Sequence, residues 1–250
     1  MNYRLTIQYE GTDFHGWQMQ EGRRTVQGEL TRVLSLLEGR GVVVHGAGRT
    51  DAGVHAVAQV ANVELRREFL PDKLRAAVNG NLAWDVRVIA AEAAPDDFHA
   101  RFSARGKTYL YRVFNEPFVS PFWSRYAHHE ARSLDVERMR GAARLLVGEH
   151  DWTAFSAAQS DAVSRVRTVT GVEVTSVRSE RGRGRLLDIG VSADGFLRYM
   201  VRSIAGTLLA VGRGELGEHD VAEMLASGRR PRAATTAPAR GLTLMSVHYD

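Results

Sequence analysis

The chain has 250 residues, 44% hydrophobic and 25% charged, enough for one large domain or two ordinary ones with a real core. It contains no cysteine, which excludes disulfides, thiolate metal sites, iron–sulfur clusters and a cysteine nucleophile. Its 33 lysines and arginines, all arginine except Lys73 and Lys107, give a net charge of +4; a polyanionic partner and an arginine-rich proteome explain this equally well.

Residues 3–9 alternate, with Tyr3, Leu5, Ile7 and Tyr9 on one face, and predict a half-buried strand. A glycine-rich loop from Gly11 to Gly22 follows. Val26, Leu30, Val33, Leu34 and Leu37 then recur at helical spacing behind Thr25, a good N-cap. A strand is expected to begin at 42–44, another covers 56–65, a short helix 71–78 and a strand 86–91. A second round opens near 106 with a strand over 107–114. A helix is expected over 134–147, capped by Ser133 and closed by Gly148. Strands at 168–178 and 185–192, helices at 196–211 and 219–226, and a strand at 242–249 complete the chain. The pattern predicts the α+β class in two domains, 1–105 and 106–250. No apolar run approaches the ~18 residues that span a bilayer, and the first residues alternate as a strand rather than forming a signal peptide. A reducing cytoplasm is the expected location, with no membrane partner.

The stretch GRTDAGVHA (48–56) sets Asp51 between Arg49 and the turn glycine Gly53. Aspartate in a glycine-rich loop is most often a turn residue. Here a nearby guanidinium and flanking glycines, which allow another chain close, favour a reactive group. In FLRYMVRSIAGTLL (196–209), Arg198 and Arg202 are four apart on a segment crowded with apolar bulk; an arginine partly buried there requires an anion, and Asp51 is one candidate. Tyr109 and Tyr111 share one strand face, suited to core packing or to stacking on a base. Upstream, Arg101, Arg105 and Lys107 interleave with Phe98, His99 and Phe102, a pattern that favours RNA.

Other motifs carry no function. GRGELG (212–217) matches a dinucleotide fingerprint but follows a helix. The scattered histidines lack ligand spacing, so no metal is expected. RGRGR (181–185) reads as a solvated hairpin turn. Asp96 and Asp97, the nearest carboxylate pair, face apart on an extended strand, which disfavours a small-molecule enzyme.

GRTDAGVHA resembles the signature of the TruA family of tRNA pseudouridine synthases. YEGTDFHGWQ (9–18), VNGNL (78–82), DDFHARFSARGKTYLY (96–111), GEHDWTAF (148–155), FLRYMVRSIAGTL (196–208) and GLTLMSVHY (241–249) follow in that family's order, so the similarity covers essentially the whole chain. The resemblance implies two ferredoxin-like α+β domains with antiparallel sheets flanking a basic cleft, and a homodimer without cofactor. It implies conversion of uridine to pseudouridine at positions 38–40 of the tRNA anticodon stem-loop. Asp51 matches the catalytic carboxylate, Tyr109 the tyrosine stacking on the target base, Arg202 the arginine paired with the carboxylate, and Arg49 the arginine handling the flipped nucleotide. Arg101, Arg105, Lys107 and Arg198 are expected RNA contacts, and His55 is expected to pack the loop. Attack at C1′, a glycal path and addition at C6 all stay open. The alternative is a non-catalytic RNA-binding protein.

Overall fold

The structure is a computed structural model that describes residues 1–159, 163–179 and 184–249. The chain forms two compact units, Met1–Arg105 with Thr243–Asp250, and Gly106–Leu242. Both mix helices with mostly antiparallel strands, the α+β class. The last strand therefore belongs with the first unit, where local pattern assigned 106–250 to a single domain.

In the first unit, β1 (Asn2–Tyr9) lies between β3 (His55–Glu64) and β4 (Val86–Ala94), antiparallel to both. The far edge of β3 is shared. β2 (Val44–Gly46) pairs antiparallel with its end, and β10 (Leu242–His248) pairs parallel with its start, Thr243 and Leu244 opposite His55 and Ala56. Tyr3, Leu5, Ile7 and Tyr9 are all buried, as their alternation requires. α1 (Val26–Glu38), whose Val26, Leu30, Val33 and Leu34 are buried, packs beside α2 (Pro71–Asn81), which in turn lies against β4. The Thr25 hydroxyl accepts the Gly28 N–H at 3.2 Å, and Gly39, at φ 76, stops the helix. Arg24 donates twice to Asp85, at 2.7 and 2.8 Å, while its guanidinium lies 4.1 Å above the Phe14 ring. This pair ties the 11–24 loop to the segment before β4.

In the second unit, β9 (Gly184–Ala193) runs antiparallel between β5 (Gly106–Phe114) and β8 (Val166–Ser179). Two short strands absent from the sequence pattern complete it: β6 (His128–His129) beside β5 and β7 (Gly148–Asp151) beside β8. Arg112 and Asp188, directly opposite on β5 and β9, exchange two bonds of 2.7 and 2.6 Å that fix the register. The helix α3 (Val136–Leu145) starts later than expected, with Asp135 rather than Ser133 as N-cap; its carboxylate accepts the Arg138 N–H. The core of this unit is α4 (Met200–Gly212), buried along its whole length except Arg202. α5 (Glu218–Ser227) follows. Of the expected turn at 181–185, residues 181–183 lie outside the described residues. No described helix is long and apolar enough to cross a membrane.

Candidate active site

Asp51 sits half-buried on the loop between β2 and β3, and the backbone on both sides of it is held from many directions. The Thr50 carbonyl accepts the Trp17 N–H at 3.0 Å, and the Thr50 hydroxyl meets the Tyr9 hydroxyl at 2.8 Å. Burial pushes the Tyr9 phenol up to about 12, so it stays protonated at neutral pH. Gly48 O accepts from the Gln59 amide at 3.0 Å, Gly53 N–H donates to Phe14 O, and Val54 N–H closes the turn onto Asp51 O at 3.2 Å. Gly53 takes φ 79, the left-handed region that excludes most side chains.

Two glycines of the 11–22 loop press against this turn. A Cβ at Gly11 would land on the Val54 carbonyl, and one at Gly16 would come 2.6 Å from Thr50 O. His55 is buried, and its Nδ1 accepts the Gly11 N–H at 2.9 Å. It therefore packs the loop. Arg49, on the same loop as Asp51, is exposed. The result is a carboxylate on a rigid main-chain frame, the preorganisation a reacting group needs.

In the second unit, Tyr109 on β5 is only 7% exposed, and its ring meets Phe196 edge to face at 5.0 Å. Tyr111, two residues on, is fully buried; its hydroxyl donates to Pro238 O at 2.9 Å, and burial raises its pKa well above the ordinary phenol value. Both tyrosines are thus buried, Tyr111 completely and with its hydroxyl bonded.

Arg202 lies in the first turn of α4. The expected helix from 196 does not form its first four residues, because Tyr199 takes φ 67, the single positive φ among described non-glycine residues. That conformation costs a bulky side chain about 1–2 kcal/mol. Two guanidinium groups lie near the Tyr199 ring, Arg198 at 4.8 Å and Arg202 at 5.0 Å from its centroid, and the Tyr199 hydroxyl accepts from Arg198 at 3.0 Å. The two arginines are therefore joined through this ring instead of sharing a helix face. Arg202 Nε also donates to Ala237 O at 2.8 Å, and Ala237 N–H returns a bond to Arg202 O at 3.0 Å.

The further basic residues divide by place. Arg101 and Arg105 are exposed in the first unit, Lys107 is half-buried on β5, and Arg198 is exposed just before α4. Sequence reasoning did not single out Gly11, Gly16, Thr50 or Trp17 as supports of the loop, nor Tyr199. The run of glycines in 11–22 was the available signal for the first two. Among the described residues no three histidine, aspartate or glutamate side chains stand together as a metal site.

The model of the tRNA pseudouridine synthase family matches residues 5–103 and 142–250. A relative from Bacillus sp. (strain KSM-64), named tRNA pseudouridine synthase A, is 41% identical over 249 residues, covering 99% of both chains. One of the same name from Ruminiclostridium cellulolyticum is 42% identical over 246 residues, covering 98% of each. Another from Allorhizobium ampelinum is 41% identical over 250 residues, covering 99% of this chain and 94% of its own. The chain belongs to the tRNA pseudouridine synthase family.

Proposed function

We propose that this chain isomerises uridine to pseudouridine in tRNA, at positions 38–40 of the anticodon stem-loop, with Asp51 as the catalytic carboxylate. The observation that carries the assignment of Asp51 is its frame: a turn held by Trp17, Tyr9, Gln59 and Phe14 and pressed by two glycines. In the reaction the C1′–N1 bond breaks, the uracil turns, and a C1′–C5 bond forms. N1 takes up a proton and C5 gives one up, so nothing is oxidised or reduced and no cofactor is called for.

The target base leaves its stack at a cost of a few kcal/mol. Stacking on Tyr109 offsets part of that cost, and Arg49 holds the flipped nucleotide. Arg202 is the ion-pair partner this reading assigns to that carboxylate. Arg101, Arg105, Lys107 and Arg198 bind the phosphate backbone, a contact that weakens as salt rises.

The strand order β4–β1–β3–β2 and the sequence βαββαβ of the first unit support a ferredoxin-like fold there. A second ferredoxin-like domain, a basic cleft, a homodimer and a cytoplasmic location complete the proposal. It is tested with Asp51→Asn. Release of tritium from C5-labelled uridine in tRNA should fall at least about a thousandfold, while the variant folds and binds tRNA as the parent does. Substantial residual turnover removes Asp51 from the role, and retained binding with no turnover in the unsubstituted protein favours a binding module instead.

A further inference from the structure

Phe102 leaves 77% of its surface in water, although the backbone around it is hydrogen-bonded at several points. His99 N–H donates to Ser103 Oγ at 3.1 Å and Ser103 N–H returns to His99 O at 2.9 Å. The Arg101 and Phe102 N–H groups both point at His99 Nδ1, at 3.1 and 3.4 Å. Ala100 N–H donates to Asn62 Oδ1 on β3, Tyr249 donates to Ala100 O, and Asn2 on β1 donates to Phe98 O. A single exposed apolar side chain is ordinary; this one is set apart by the turn that fixes it and by the rings and cations beside it.

The ring is also backed. Phe102 lies against His99 with centroids 4.4 Å apart and planes tilted by 35°, and His99 lies against His45 of β2 at 4.9 Å and 43°. Because Nδ1 accepts from the turn, the His99 imidazole is neutral with its proton on Nε2. Burial, with His45 and Arg101 close by, lowers its pKa from the ordinary value and keeps it so. This row of rings thus ends in Phe102, most of whose surface is in water. Arg101, whose guanidinium is 5.7 Å from the ring centroid, and Arg105 are both exposed on the same short segment. By contrast Phe98 turns inward, onto Tyr249 at 5.2 Å.

A flat apolar surface flanked by guanidinium groups matches a planar base attached to an anionic backbone, and it matches an uncharged protein surface poorly. We propose that Phe102 is a stacking platform for an unpaired base of the RNA substrate, distinct from the base that reacts, with Arg101 and Arg105 taking the adjoining phosphates. The inference rests on the reading of the chain as a tRNA-modifying enzyme and names one contact that reading lacks.

The test compares Phe102→Ala, Phe102→Leu and Phe102→Trp for the Kd of unmodified tRNA by fluorescence anisotropy, with kcat/KM measured beside it. Phe102→Ala and Phe102→Leu should each weaken binding about 5- to 150-fold, with kcat/KM falling by the same factor, while Phe102→Trp binds at least as tightly as the parent. Equal Kd values in all four proteins overturn the proposal. So does a leucine variant that matches the parent, since that assigns the ring to bulk packing. So does a change in sedimentation of the free protein that accounts for the loss, since that assigns it to a contact between copies. Failure of the unsubstituted protein to form pseudouridine rejects the enzymatic reading on its own, and the Kd series still decides whether Phe102 stacks on RNA.

Discussion

Replacing Gly206 by alanine sets two effects of opposite sign against each other. Within a helix such as α4, alanine is favoured over glycine by about 1 kcal/mol. Against this, a Cβ at 206 would land on the Thr235 carbonyl oxygen, 2.9 Å from its carbon and 3.2 Å from Ala237 N. All three neighbours are main chain, so no side chain can swing aside. Either α4 or the 235–238 segment has to move, at an overpacking cost of about 1–3 kcal/mol.

That segment is clipped to the helix by Ala237 N–H on Arg202 O, Arg202 Nε on Ala237 O, and a 3.3 Å contact between the Ser203 and Thr236 hydroxyls. A shift large enough to admit the methyl group weakens these bonds, at about 0.5–1.5 kcal/mol for each neutral one and more for the guanidinium. The overpacking and bond terms together exceed the propensity gain, so Gly206→Ala should destabilise by roughly 2–4 kcal/mol. In urea the midpoint should fall at constant slope, and Tm should drop by about 5–15 °C. Gly80→Ala is the control. It lies in α2 with open space where its Cβ would stand and should melt at or slightly above the parent. A Gly206→Ala protein that melts at or above the parent would refute the reasoning, because it would mean the segment yields freely.

Asp85→Asn should lower stability by about 1–3 kcal/mol, because it leaves the doubly bonded Arg24 guanidinium with a weaker acceptor. The Arg24 bonds hold the Asp85 carboxyl below the usual carboxylate range, so its contribution is present above the unfolded pKa of about 3.9 and is lost as pH falls through the lower folded value. Urea midpoints taken from pH 5 downward should show a shallower acid limb in the variant, and parallel limbs would reject the assignment. His128 is pushed down to about 4, first by burial and then by Arg240, Arg213 and His129, with Glu130 opposing. Protonating it disfavours the fold, so its stabilisation is whole above about 6.5 and fades toward pH 4, by about 1–2 kcal/mol allowing for its partly solvated ring. His128→Phe should flatten the fall of Tm between pH 6.5 and 4, and an unchanged profile would count against it.

What was legible in the sequence was what is decided locally. Thr25 caps α1 because the hydroxyl and the N–H it satisfies are three residues apart, and β1 buries Tyr3, Leu5, Ile7 and Tyr9 because strand pleating alone sorts them. The loop of Asp51 was legible as a stretch of unusual residues. The errors lie where distant partners decide. Ser133 and Asp135 are both capping residues, but it is the Asp135 carboxylate that accepts the Arg138 N–H, on a residue whose own N–H is tied to Gly212 O at the far end of α4. Tyr199 has none of the glycine or asparagine character that marks a left-handed residue, and its ring contacts are with Arg198 and Arg202. The last strand pairs with β3, some 190 residues earlier, a partner no local pattern names.

Gly11, Gly16 and Gly206 share one property that bears on chemistry. At each, main chain lies against main chain with no room for a Cβ, and at Gly16 the φ of 83 disfavours any other residue independently. Side-chain packing can relax by rotamer changes, but backbone pressed on backbone has no such freedom. The turn bearing Asp51 is fixed in this way by Gly11 and Gly16, and the segment that bonds Arg202 is fixed in the same way by Gly206. A misplacement of about 1 Å in a reacting group can slow a reaction a hundredfold. With the roles proposed for Asp51 and Arg202, these three glycines belong to the machinery as much as the charged groups do, and substitutions at them should impair turnover before they abolish folding.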